Sequence, residues 1–308
     1  MFKRLLLTGT AALFLIGAAP ITQQGSTTQS GVLASPQEVL DAAPASAWMT
    51  VPAEDLVVMT LADGRKIDYQ LAPDFAPVHV ANIRQLVRSG YFDGAAILRV
   101  QDAYVVQWGR PDEDKTEARG INATPPAEYE FTPPARFKPL PFRDAYAEQV
   151  GHAKSWPVAS DGHSAWLIHC YGMIGVARDV APDTGSGTQL YTVIGHAPRH
   201  LDRNLAVVGR VIGGMEFLTD RPRGTEDLGF YKDDSQRIKI VSTQMASDLP
   251  ADARPAFQVL DSDSPAFAAW VQARANRSGA FFVKPAGAVD ICNAQAPLRA
   301  VQSAPGTN

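Results

Sequence analysis

Residues 96–109 read Ala96-Ile97-Leu98-Arg99-Val100-Gln101-Asp102-Ala103-Tyr104-Val105-Val106-Gln107-Trp108-Gly109. Two strand-like runs, Ala96–Val100 and Tyr104–Trp108, lie either side of a short polar break, and each carries one long polar side chain, Arg99 and Gln107. Upstream, Leu56–Leu61 and Lys66–Leu71 flank Ala62-Asp63-Gly64-Arg65, a hairpin signal centred on Asp-Gly. Between the two regions, Asp74 to Ser89 reads as a helix. Asp74 is its expected cap, Val78, Val80, Ile83, Leu86 and Val87 supply an apolar face, and Gly90 is the stop. Downstream, strands are expected at Met173–Ala177, Leu190–Ile194, Ala206–Val211 and Ile238–Ser242, with a short helical piece around Gly214–Asp220. Hairpins, few helices and no strand–helix–strand alternation predict a closed or nearly closed antiparallel barrel with helices at its ends.

The 308 residues are 45% hydrophobic and 19% charged, with a formal net charge of −4. Such a length buries one large core or two modest ones. Without a basic field, general nucleic-acid binding is excluded. Lys3 and Arg4 precede the uncharged stretch Leu5–Ala19, which ends on the small residues Gly17, Ala18 and Ala19. These are the marks of a secretory signal peptide. Thr8, Gly9 and Thr10 interrupt the apolar run, whereas a bilayer span takes about 20 apolar residues. Residues 1–19 are therefore expected to be an export signal, and the protein periplasmic or secreted with no stable membrane span. Residues 20–52 are expected to be a flexible segment, with a short helix signalled at Ser35–Ala43. In an oxidising compartment Cys170 and Cys292 can form a disulfide; two buried free thiols fit the sequence as well. Neither cysteine stands in a Cys-x-x-Cys spacing. Residues 111–171 are Pro-rich and uneven, too long for an ordinary connection. The tail, 246–308, holds one helix signal, Ser264–Asn276, and a strand signal, Ala280–Val283.

Four stretches, in order, resemble the cyclophilin-type peptidyl-prolyl isomerases: Leu71–Asn82; Leu86–Gly94 running on through Ile97–Val100 and Tyr104–Gly109; Met173–Arg178 through Thr184 to Gly187–Tyr191; and His200–Val211 with Gly214-Met215. The resemblance covers roughly residues 54–245. It implies a mainly β fold, a closed antiparallel β-barrel capped by helices over 53–245. An insertion at about 111–171 and a C-terminal extension from 246 would be additions to it. It further implies isomerisation of X-Pro bonds in proline-containing polypeptides, without metal or cofactor. Rotation about such a bond breaks no covalent bond, so an apolar grip on the proline ring and a fixed donor suffice.

Residue by residue, Arg99 matches the catalytic arginine of the family and Gln107 the glutamine that holds it. Tyr104, Val105, Tyr191 and Leu201 match positions of the proline pocket, and Gln189 a glutamine that contacts the substrate backbone. Leu205 stands where the family has a groove histidine and Arg178 where it has an asparagine. Leu98 replaces a further histidine. Taken singly, Arg99 reads as a surface arginine and the tyrosines as barrel packing; the joint spacing of Arg99, Tyr104 and Gln107 assigns them to a groove. The substitutions at 178 and 205 predict reduced or redirected activity with peptide binding retained. An active isomerase of exported proteins and a weak or inactive module that binds proline-containing segments or a protein partner both fit. His196 and His200 have a helical zinc spacing, but Pro198 lies between them. Gly185-Ser186-Gly187 lacks the lysine of a phosphate loop, and no hydrolase elbow is present.

Overall fold

In the computed structural model, which describes residues 34–301, the Asp63-Gly64 turn closes a hairpin. Gly64 takes φ +82°, and the Leu61 N–H donates to the Arg65 carbonyl at 2.9 Å. In chain order the elements are α1 (Pro36–Asp41), β1 (Trp48–Thr50), β2 (Leu56–Leu61), β3 (Lys66–Leu71), α2 (Pro77–Arg88), β4 (Ala96–Val100), β5 (Val105–Gly109), β6 (Lys138–Pro139), β7 (Gln149–Ala153), β8 (Trp156–Ser160), β9 (Ala165–Leu167), β10 (Met173–Val176), β11 (Gln189–Val193), β12 (Val207–Gly213), α3 (Glu216–Thr219), β13 (Ile238–Met245), β14 (Phe257–Leu260), α4 (Pro265–Ala275) and β15 (Leu298–Ala300). Eight strands close an antiparallel barrel in the order β10-β11-β5-β4-β13-β2-β3-β12. The expected export signal lies outside the described residues.

Period-two alternation builds the barrel core. On β2, Val57, Met59 and Leu61 enter the interior, while Leu56 joins Val51, Ala246 and Phe257 in a second cluster. Helix α2 adds Val80, Ile83, Leu86 and Val87 to the interior cluster. Each such side chain contributes about 1.5–3 kcal/mol of transfer free energy, before conformational entropy is counted.

The start of α2 departs from the sequence expectation. Its N-cap is Ala76, which has no capping side chain, and Asp74 pairs with Lys154 at 2.7 Å instead. The cap comes from the insertion. Glu128 accepts from the backbone N–H groups of Val78 and His79, both at 2.9 Å, and holds the His79 ring Nδ1 at 2.6 Å. A carboxylate there satisfies two orphan donors and complements the helix dipole.

The insertion forms a four-stranded sheet, β6-β7-β8-β9. Trp156, Val158 and Trp166 on it, with Ile168 just past β9, pack with Phe75 and Val207 of the barrel domain in a core of their own. Strands β1, β14 and β15 form a third sheet, and with α4 they bury Trp48, Leu260, Phe267 and Trp270. Residues 36–52 are thus structured by pairing with the tail, not flexible: Trp48 pairs with Leu260 and Thr50 with Gln258. Helix α4 keeps its expected cap, the Ser264 hydroxyl accepting from the Phe267 N–H. The strand expected at Ala280–Val283 is absent; those residues lie in a loop, where Phe281 and Val283 have no strand to pair with and are exposed. Cys170, at the end of the insertion, is disulfide-bonded to Cys292 of the tail across 122 residues.

Candidate active site

Register across neighbouring strands assembles the site. Arg99 on β4 pairs with Gln107 on β5, Gln107 with Tyr191 on β11, and Tyr191 with Gly175 on β10. Strands lie about 4.8 Å apart and directly opposed residues share a face, so the four form one row on the outer barrel wall. A bulge makes this possible for Arg99. The β4–β5 register shifts between Ile97 and Arg99, so Ile97 and Val100 both fill the interior while Leu98 and Arg99 line surface cavities. Strict alternation from Ile97 would have turned Arg99 into the core.

Beside the row is a cavity of about 260 Å³ walled by Tyr104, Val105, Tyr191, Leu201 and Leu205, with Arg99, Gln107 and Arg178 also lining it. Gln189 lines the adjoining cavity of about 430 Å³, which shares Arg178 and Phe230 with the first. The structure therefore brings eight of the nine expected groove residues into one cavity and the ninth next to it. The smaller cavity is below the size range of sites for whole drug-like ligands and fits a single small ring or side chain.

A directed chain of amides fixes the arginine. Gln107 Oε1 accepts from Arg99 Nη1 at 3.4 Å, Gln107 Nε2 donates to Gln189 Oε1 at 2.8 Å, and Gln189 Nε2 donates to the Arg110 carbonyl at 3.2 Å. Arg99 also donates through Nε to the Leu228 carbonyl and through Nη2 to Gln101. Its guanidinium carbon lies 5.7 Å from the Tyr104 ring centre and 5.4 Å from that of Phe230. Burial lowers the Arg99 pKa, yet a guanidinium stays cationic in proteins. Tyr104 stacks on His200 at 6.1 Å, and burial raises its phenol pKa.

Arg178 does bring a second cation to the groove. Its Nε and Nη2 donate to the Asn204 carbonyl and its Nη1 to the Asp179 carbonyl at 2.6 Å, which ties it to backbone at the junction of the two cavities. Leu228 and Phe230 are groove residues that the sequence reading missed. Their segment lies along β4: Gly224 N–H donates to the Val100 carbonyl and Tyr231 N–H to the Leu98 carbonyl, both at 3.0 Å. Gly229 sits at the close approach, since a Cβ there would come within 2.7 Å of the Gln101 backbone, while a Cβ on Gly224 would meet the Gly229 carbonyl of its own segment at 2.0 Å. Those glycines were the available signal, but nothing local says which strand they approach.

Residues 56–245 match the family model described as cyclophilin type peptidyl-prolyl cis-trans isomerase/CLD. The chain belongs to the cyclophilin-type peptidyl-prolyl isomerases. Among curated proteins, a probable peptidyl-prolyl cis-trans isomerase of Brucella suis is 28% identical over 191 residues, 60% of this chain and 81% of that protein. Peptidyl-prolyl cis-trans isomerase B of Bacillus subtilis is 30% identical over 165 residues, 53% of this chain and 88% of its own. Among solved structures, the cyclophilin AquaCyp293 from Hirschia baltica aligns with a TM-score of 0.61 at 23% identity, covering 82% of this chain and 93% of that one. That likeness is one of fold, and it reaches further along the chain than the family match. The cyclophilin is thus an isomerase built on a helix-capped barrel, and the Cys170–Cys292 disulfide joins its insertion to its tail.

Proposed function

We propose that this cyclophilin isomerises X-Pro bonds of exported proteins, with Arg99 as the electrostatic catalyst. The observation that carries the reading is the row Arg99–Gln107–Tyr191 beside a small, largely apolar slot. Amide resonance raises a barrier of about 18–20 kcal/mol to rotation. As the bond twists, resonance is lost and the prolyl nitrogen regains its lone pair. A positioned cation with N–H donors favours that twisted, charge-localised state over the planar one. Gln107 holds the guanidinium against thermal rotation, and Tyr104, Val105, Tyr191, Leu201 and Leu205 grip the pyrrolidine ring. Three of the five guanidinium donors are named in hydrogen bonds above, which leaves two for a substrate amide.

The grip of the Leu228 carbonyl and Gln101 on Arg99 favours an activity lower than a freer arginine would give, consistent with the presence of Arg178 at the groove. Export is supported by Lys3, Arg4 and the apolar stretch Leu5–Ala19, and by the disulfide, a bond typical of oxidising compartments. Among the described residues no helix is long and apolar enough to cross a membrane.

A protease-coupled assay on X-Pro peptides tests the reading. The wild type is expected to accelerate exchange above background, and Arg99→Ala to lower kcat/KM about 100-fold, the cost of one preorganised donor. Wild-type activity at background would leave only the peptide-binding alternative.

A further inference from the structure

Behind the slot runs a buried polar chain that the isomerisation mechanism does not itself require. Tyr191 Oη lies 2.9 Å from His169 Nε2, and His169 Nδ1 lies 2.9 Å from Asp202 Oδ1. Asp202 Oδ2 accepts from Arg199 Nε at 2.6 Å, and Arg199 forks onto Asp144 at 2.9 and 3.0 Å. Tyr191, His169, Asp202 and Arg199 are all buried. Asp202 Oδ1 faces His169 Nδ1 while the Tyr191 hydroxyl faces Nε2, so the ring bridges an acceptor that Arg199 holds in place and a hydroxyl that can donate to it. His169 and Asp144 both come from the insertion.

Resting on the groove as the peptide site, we propose that His169 is a positioning residue for the proline slot: by accepting a hydrogen bond from the Tyr191 hydroxyl at the rear, it makes this tyrosine present only its ring to the substrate. Without that partner the buried hydroxyl is left unpaired, which is costly, and the ring must shift to reach another acceptor or a water. A displaced ring reshapes the wall against which the pyrrolidine should sit. The insertion thus acts on the groove from behind, by orienting its wall.

Asparagine and glutamine separate the two ring nitrogens, the asparagine amide replacing Nδ1 and the glutamine amide replacing Nε2. With an Ala-Pro tetrapeptide as probe, His169→Asn is expected to raise KM at least about five-fold with little change in kcat, and His169→Gln to recover most of that loss, whatever each does to Tm. In a Tyr191→Phe background, His169→Asn should cost nothing further in KM, because no hydroxyl remains to be held. Equal KM effects of Asn and Gln, KM changes that follow Tm, or an undiminished His169→Asn penalty in the Tyr191→Phe background would each overturn the proposal. Failure of the groove reading shows separately, as Arg99→Ala and Leu201→Ala both behaving like wild type, and the inference then falls with it.

Discussion

At Arg99, a single bulged residue decides what the side chain faces. The spacing of Arg99, Tyr104 and Gln107 was legible in the sequence because Arg99 and Gln107 lie on the two strands of one hairpin and Tyr104 in the turn between them, where separation along the chain maps directly onto position. The bulge was not legible, since alternation in Ala96–Val100 reads equally well with Arg99 inside. Leu228 and Phe230 were missed for a related reason: the contact from Arg99 to Leu228 spans 129 residues. Gly175 shows how tightly the row is built. A Cβ there would lie 2.3 Å from both Tyr191 Cζ and Oη, and a backbone strand cannot yield that distance. Gly175→Ala is therefore expected to cost about 1–3 kcal/mol, as overpacking does, and to weaken peptide binding because the Tyr191 ring must move. Urea unfolding and peptide titration check this, and wild-type values for both would show that the ring does not rest on the strand.

Elements were found where their own periodicity defines them and misjudged where a distant segment completes them. The apolar face of α2 is local, so the helix was legible; its cap is Glu128, about 50 residues further on, and no pattern around Asp74 announces it. The run Ala280–Val283 has strand propensity without a neighbouring strand to pair with, and pairing is what stabilises a strand. Glu128→Ala should expose two helix N–H groups and leave the buried His79 ring without its carboxylate. Loss of such a cap is expected to lower stability by about 1–2 kcal/mol. The measurement is again the urea midpoint, and an unchanged midpoint would mean that water replaces the carboxylate at no cost.

Across the whole molecule, the barrel was legible while the sheets of the insertion and tail were not, because their partners are brought together only by the folded chain. Trp48 on β1 finds Leu260 on β14, and the disulfide spans 122 residues. His152 sits at one of these junctions, 4.7 Å from the Phe267 ring of α4. Burial draws its pKa from 6.5 down to about 4. The folded chain holds it neutral while the unfolded chain protonates from pH 6.5 downward. Its share of stability is therefore complete above pH 6.5 and lost as pH falls toward 4, about 3 kcal/mol in all. His152→Leu should flatten the stability profile in that window; an unaltered slope would place the acid sensitivity elsewhere. The central assignment concerns a guanidinium held beside a ring-sized slot. Exchange NMR of an Ala-Pro peptide at equilibrium reads it most directly, because no coupled protease intervenes. Cis–trans exchange is expected to be accelerated by the wild-type protein and returned near the spontaneous rate by Arg99→Ala; equal acceleration by the two proteins would remove Arg99 as the catalyst.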